Sequence, residues 1–233
     1  MRLDEFLVLR NYFSSKTKAQ RAIRAGQVFV DGKVIKKPGF RVKSTSNIVI
    51  SSVAYEKPIG YFKLKSIESH LETPIFTTGV TVLDIGSSAG GFVLYALECG
   101  ASFVLGIEIS NDFKKQLLKI KEQYPDRVDF LFGDATKLHT QILQKYSYFD
   151  VITCDITADP YFTINLIKLY SFILKTKGIV IFTLKLPKPY LVERRYVVLI
   201  EEIKSELPGL SLNPIKIIQS PDKHEIYVVA KKE

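Results

Sequence analysis

Thr81-Val82-Leu83-Asp84-Ile85-Gly86-Ser87-Ser88-Ala89-Gly90-Gly91-Phe92 is the stretch on which the fold turns. Thr81 to Ile85 is apolar apart from Asp84, as a strand buried on both faces of a sheet must be. Gly86 to Gly91 is a glycine-rich turn that lets the backbone approach a ligand closely. Val93 to Cys99 then reads as a helix. Taken alone, Asp-x-Gly-x-x-x-Gly-Gly is equally compatible with a turn that serves only structure, so the flanking sequence has to decide.

Downstream, Phe103–Glu108, Val128–Asp134, Phe149–Asp155 and Gly178–Lys185 are further apolar runs of strand length. Helical segments such as Asp112–Gln123 and Phe162–Leu174 separate them. Alternating strand and helix predicts an α/β fold, a parallel sheet with helices on both faces. In such sheets ligands sit at the carboxyl ends of the strands, and four of these ends carry an acid: Asp84, Glu108, Asp134 and Asp155. The Gly-x-Gly-x-x-Gly spacing of a dinucleotide site is absent, and so is the Gly-Lys-Ser/Thr of a P-loop. An acid beside the first turn suits a cationic amino-acid ligand better than a phosphate. S-adenosylmethionine has that shape, with an ammonium and sulfonium for Asp84, ribose hydroxyls for Glu108 and an adenine for Asp134. The candidate cofactor-binding residues are therefore Asp84, Gly86, Ser87, Ser88, Gly90, Gly91, Phe92, Glu108, Ile109, Asp134, Ala135 and Asp155.

Charge divides the chain. Residues 1–50 hold eleven Lys and Arg against three Asp and Glu, whereas the other 183 residues are nearly balanced, out of a total net charge of +9. Such asymmetry favours a polyanionic partner. Leu3, Phe6, Leu7 and Leu9 predict a short helix with an apolar face. Ser14 or Ser15 can cap a second helix, Lys16 to Ala25, ended by Gly26. Ala19, Ala22 and Ile23 share one side of it, and Lys18, Arg21 and Arg24 share the other. Asp31-Gly32 inside Val28–Ile35 predicts a hairpin, and Ile48-Val49-Ile50 a last strand. The boundary is expected near residue 55, giving domains 1–54 and 55–233.

This first segment resembles the S-four-type RNA-binding domain through Arg2-Leu3-Asp4, Ser15, Ala19, Ile23, Gly26-Gln27-Val28 and Val30-Asp31-Gly32. The resemblance implies binding of structured RNA by the second helix and the hairpin. The candidate RNA-binding residues there are Lys16, Lys18, Arg21, Arg24, Lys33, Lys36 and Lys37. Shape and phosphate contacts dominate recognition of folded RNA.

Residues 59–233 resemble the FtsJ-type RNA 2′-O-methyltransferases. With its N-terminal domain the whole chain is similar to the TlyA-type family, which methylates ribosomal RNA and is often labelled haemolysin. The resemblance implies a Rossmann-like class I methyltransferase fold, mostly parallel with an antiparallel last strand, behind a small α+β domain. It also implies a Lys-Asp-Lys-Glu tetrad, matched by Lys63 in Phe62-Lys63-Leu64, Asp155, Lys185, and Glu225 in His224-Glu225-Ile226. Lys185 could accept the proton of a ribose hydroxyl if Lys63 and desolvation lower its pKa. Alternatively it stays charged and stabilises the developing oxyanion. Two places depart from the family: Ile156-Thr157-Ala158-Asp159-Pro160 after Asp155, and Leu186-Pro187-Lys188-Pro189 after Lys185. Lys188, Arg194 and Arg195 form a basic cluster there and complete the candidate RNA contacts. Tyr227 reads as a core residue.

Other function classes find little support. No apolar run reaches the roughly 20 residues that span a bilayer, and the N-terminus lacks a signal-peptide core, so a cytoplasmic protein without a membrane partner is expected. Two cysteines and three scattered histidines suggest neither a disulfide framework nor a metal site. The rival readings are a methyltransferase fold that has lost catalysis and serves ribosome assembly, and a membrane-active haemolysin. The target nucleotide and the oligomeric state stay open.

Overall fold

Seven strands form the main sheet, in the order β6-β5-β4-β7-β8-β10-β9. The computed structural model describes residues 1–10, 12–13, 15–50, 57–186, 193–220 and 224–233, and it divides into two units, Met1–Phe62 and Lys63–Glu233. The boundary expected near residue 55 lies outside the described residues.

In the first unit, α1 (Leu3–Leu9) and α2 (Lys16–Arg24) pack beside a three-stranded antiparallel sheet of β1 (Val28–Val30), β2 (Lys33–Val34) and β3 (Ile48–Ile50). Ser15 caps α2 by accepting a hydrogen bond from the Lys18 amide, as a short hydroxyl at this position does. Asp31 and Gly32 both take positive φ, 49° and 79°, the geometry that a two-residue hairpin needs to match strand twist. Leu3, Leu7, Ala19, Ile23 and Val28 meet in the core. Leu9 does not join them. It is 66% exposed, because it lies two residues past Leu7 and so points off the helical stripe. Asp4 is fully buried and bridges Arg2 and Gln20. Its carboxyl is held down at about 2, chiefly by the Arg2 hydrogen bonds, which outweigh burial.

The second unit alternates as the periodicity predicts. Helix α3 (Ile59–Glu68) spans the division between the units and leads to β4 (Thr81–Ile85), α4 (Gly91–Glu98), β5 (Phe103–Glu108), α5 (Lys114–Gln123) and β6 (Val128–Phe132). Then come α6 (Ala135–Lys145), β7 (Phe149–Cys154), α7 (Pro160–Ser171), β8 (Leu174–Lys185), α8 (Glu193–Glu206), β9 (Leu212–Gln219) and β10 (Glu225–Lys232). Strands β4 to β8 are mutually parallel. β10 inserts antiparallel between β8 and β9. The two-faced burial of Leu83, Ile85, Leu105, Ile152 and Phe182 explains their near-continuous apolar runs.

Strand β9 is the element that the sequence pattern does not announce. It is an edge strand containing Pro214, with a register shift opposite Val229/Ala230. A proline cannot donate to a ladder and is tolerated only at such an edge. Strand β8 starts four residues earlier than its apolar run, since Leu174 already pairs with Phe149.

Candidate active site

The topology brings four charged side chains from four separate elements to one end of the sheet. Lys63 lies on α3, Asp155 follows β7, Lys185 ends β8 and Glu225 begins β10. Lys185 and Glu225 are register partners across the antiparallel β8–β10 pair. Their ionic groups close a ring of alternating sign. Lys63 Nζ lies 2.8 Å from Asp155 Oδ2, and Lys185 Nζ lies 2.9 Å from Asp155 Oδ1. Glu225 completes it, with Oε1 2.6 Å from Lys185 Nζ and Oε2 2.7 Å from Lys63 Nζ. Each charge thus has two neighbours of opposite sign, which offsets the cost of taking all four partly out of water. Their side chains remain 15–24% exposed, so the ring faces outward to a reactant.

Electrostatics follow from the geometry. Burial pushes the Asp155 carboxyl up, but the ammonium groups of Lys63 and Lys185 outweigh it and hold it below the ordinary range. Glu225 is lowered in the same way, burial being overcome by Lys63 and Lys185. Burial alone would lower Lys185, but Asp155 and Glu225 raise its pKa above the ordinary lysine value. Of the two roles left open for Lys185, the resting site therefore favours the charged one. With two carboxylates in contact with it, the second ammonium does not lower its pKa. Tyr227, read from sequence as core, belongs to this surround: its hydroxyl donates to Glu225 Oε2 at 3.1 Å, and its ring centroid lies 5.4 Å from Lys63 Nζ.

Beside the ring lies a cavity of about 430 Å³, within the range of small-molecule sites. Asp155 lines both. Of the expected cofactor residues, Gly86, Ser88, Glu108, Ile109, Asp134 and Ala135 line this cavity as well. Gly86 has φ of +84°, and a Cβ there would meet Ile156 Cγ2 at 2.7 Å, so only glycine keeps this wall open. Glu108 receives the Ser88 amide on Oε2 (2.6 Å) and the Ser110 amide on Oε1 (2.7 Å), which ties the glycine turn to the end of β5. Asp134 caps α6, accepting from the amide and hydroxyl of Thr136.

Asp84, Ser87, Gly90, Gly91 and Phe92 are not in the cavity wall. Asp84 sits beneath the turn at 1% exposure. Its Oδ1 accepts from the Thr153 hydroxyl at 2.6 Å, while Oδ2 is buried and makes no hydrogen bond among the described residues. Burial pushes its carboxyl up to about 6. Ser87 donates its hydroxyl to the Asp84 carbonyl. Gly90 is the N-cap of α4 at φ +79°, where a Cβ would collide with Ile120. Gly91 and Phe92 are buried in the first turn of that helix. These residues shape the turn rather than face the cavity. The expected set also left out Phe113, Thr136, Ile156, Thr157, Phe162 and Leu166, which line the wall together with Ile85, Ile107, Gly133 and Ala158. The usable signal for Phe113, Ile156 and Phe162 was an apolar residue a few positions beyond Glu108 or Asp155.

In the first unit Lys16, Lys18, Arg21, Arg24, Lys33, Lys36 and Lys37 are all exposed. Lys16 is ion-paired with Glu5 at 2.8 Å. Arg195 is exposed near the start of α8. Lys188 and the side chain of Arg194 lie outside the described residues. Among the described residues, no helix is long and apolar enough to cross a membrane.

Comparison with known proteins agrees with this architecture. Residues 1–48 match the S4 domain and residues 59–183 match the FtsJ-like methyltransferase family. Hemolysin A of Brachyspira hyodysenteriae is 30% identical over 190 residues, covering 81% of this chain and 74% of that protein. A Bacillus subtilis protein described as an rRNA methyltransferase, YqxC, is 32% identical over 111 residues, 46% of this chain and 38% of its own length. Among solved structures, one described as a hemolysin from Streptococcus thermophilus superposes with a TM-score of 0.61 at 18% identity, covering 100% of this chain and 88% of that one. With more than half of its length matched, the chain belongs to the FtsJ-like methyltransferase family and carries an S4 domain ahead of the methyltransferase domain.

Proposed function

We propose that the protein transfers a methyl group from S-adenosylmethionine to a ribose 2′-hydroxyl of structured RNA, with ribosomal RNA as its substrate in the cytoplasm. The observation that carries the reading is the shared wall: Asp155 belongs both to the charged ring and to the cavity. A methyl donor seated in the cavity would present its reactive end to the ring.

The residues fit the cofactor. Gly86 leaves the wall open where any side chain would strike Ile156. Glu108 and Asp134 offer carboxylates on neighbouring strand ends for hydroxyl and amino donors, while Ile109 and Phe162 give the apolar cover that a purine needs. The S4 domain, the exposed cations of α2 and the name of the Bacillus relative point to ribosomal RNA.

When bound, S-adenosylmethionine supplies an electrophilic methyl on a sulfonium. The chain's own part is positional and electrostatic. Lys185, an ammonium at neutral pH, donates to the ribose oxygen and stabilises the negative charge that grows as the hydroxyl proton passes to the solvent water that reaches the partly exposed ring. Asp155 and Glu225 orient Lys185 and Lys63 and keep Lys185 charged. Aligning the hydroxyl with the methyl supplies much of the remaining acceleration. The test is transfer of labelled methyl from S-adenosylmethionine into ribosomal RNA, followed by mapping of ribose methylation. Incorporation that is lost in Lys185→Ala supports the reading, and no incorporation by the intact protein overturns it.

A further inference from the structure

A second and larger cavity, of about 570 Å³, opens at the opposite end of the sheet from the charged ring. Its walls come from the amino ends of β4, β7 and β8, the start of β9 and the far end of β10, under the connection at residues 70–75. Three adjacent strands each contribute one lysine: Lys177 from β8, Lys231 from β10 and Lys216 from β9. Among the described residues none of the three has an ion-pair partner.

Two of the lysines are presented by irregularities in their strands. Phe149 pairs with Leu174 and Val151 with Ile179, so residues 175–178 bulge out of β8. Lys177 stands in that excursion at φ +65°, a conformation that a lysine adopts only where the surroundings impose it. On β9 the register jumps from Lys216 opposite Val229 to Pro214 opposite Ala230, which leaves Ile215 as the extra residue beside Lys216. Bulges re-aim side chains next to functional sites.

The acids of the cavity complete its character. Asp150 is satisfied by Lys175, the Thr81 amide and the Thr81 hydroxyl, so it does not cancel the three cations. Glu72 remains as an acceptor on the rim. We propose that this cavity is a second binding site, for a nucleotide unit, with Lys177, Lys216 and Lys231 holding its phosphate and Glu72 accepting from its sugar or base. The unit is either one residue of a bound RNA chain or a free nucleotide, since the phosphate chemistry is shared. The site stands apart from the methyl-transfer reading and survives without it.

The test uses the full chain with the first cavity saturated by S-adenosylhomocysteine. Cytidine 5′-monophosphate and inorganic phosphate are titrated against amide signals of Lys177 and Gly178, in the intact protein and in a Lys177→Gln, Lys216→Gln, Lys231→Gln variant. The expected result is saturable binding of the mononucleotide, weakened tenfold or more in the variant. RNA affinity measured across salt concentrations separates the two sources. If RNA is the ligand, the variant loses the one phosphate contact that the three lysines share, and the slope of log affinity against log salt falls in magnitude by about 0.7–0.9. If a free nucleotide is the ligand, that slope is unchanged. An intact protein that shows no shift with mononucleotide, together with an RNA slope identical in the variant, overturns the proposal.

Discussion

Lys185 and Glu225 face each other as register partners on neighbouring antiparallel strands, with Nζ and Oε1 2.6 Å apart. Backbone pairing, not side-chain flexibility, therefore sets their separation, and the ammonium is delivered to one place with little loss of rotamer freedom on reaction. Removing it in Lys185→Ala is expected to cut methyl transfer by a factor on the order of 10²–10³, the usual cost of losing a donor to a developing oxyanion. Glu225→Gln keeps an acceptor but loses a charge, so its loss should be smaller. Single-turnover methyl transfer, run beside a cofactor-binding titration that stays within about twofold of the intact protein, checks both. Lys185→Ala turnover at the intact level would remove Lys185 from the chemistry.

The ionisation of the ring sets a pH window for stability. Asp155 and Glu225 are depressed below their ordinary values of 3.8 and 4.5. Their stabilisation is thus present above those values and is lost as pH falls through the still lower folded ones. Lys185 is raised above 10.5, so its share is fully present below that value and is lost only as pH climbs past its folded pKa. The difference in melting temperature between the intact protein and Asp155→Asn should accordingly be flat from about pH 5 to 9 and shrink below about pH 4. A difference that titrates near neutrality would mean the ring is not ionised as described.

Asp84 behaves in the opposite sense. Burial raises its folded pKa to about 6 from 3.8, so the folded state holds this proton more tightly and the charge destabilises the fold as pH rises from about 4 through 6. Asp84→Asn, which cannot ionise, should gain melting temperature relative to the intact protein over that interval, with the advantage constant above pH 7. Two pH units correspond to about 3 kcal/mol, less whatever the unpartnered amide of Asn costs. Paired thermal melts from pH 4 to 8 decide it; a variant whose deficit or gain does not vary with pH removes the buried charge as the cause.

Much of this site is legible in the sequence because its parts break local rules. Lys185 interrupts an apolar strand end, and Gly86 sits where a strand meets a turn, so both stand out from their neighbours. Asp84 is legible as a strand-end acid but not as a buried one. In a strand covered on both faces, alternation does not say which side chain meets the ligand and which meets Thr153. The protonation of Lys185 is equally out of reach, because it depends on two carboxylates at 2.6 and 2.9 Å that come from residues 40 and 30 positions away. Strand β9 is hidden by Pro214 and by the exposure of most of its side chains. An edge strand has no buried face strong enough to impose an alternating pattern.

Glu108 holds the glycine turn and the end of β5 together through two backbone amides and also lines the cavity. Glu108→Ala should weaken cofactor binding by roughly 10–100-fold, the range expected for hydrogen bonds to a charged group, while RNA affinity is unchanged. Calorimetric titration with S-adenosylhomocysteine and a filter-binding assay with RNA measure the two separately. If RNA affinity falls and the nucleoside affinity does not, Glu108 serves the other ligand.

Helix α2 buries Ala19, Ala22 and Ile23 and turns Lys18, Arg21 and Arg24 outward. Because the buried stripe is made of small and β-branched residues on the far side, replacing the three cations with Gln leaves the packing of the unit untouched. What changes is the number of charges available to phosphates. RNA binding by the triple variant should weaken most at low salt, and the slope of log affinity against log salt should fall by about 2 if each cation meets one phosphate. Cofactor affinity should not move, since none of the three residues lines the cavity. Equal slopes for the two proteins would mean that the positive face of α2 is a solvated surface and that RNA is held elsewhere.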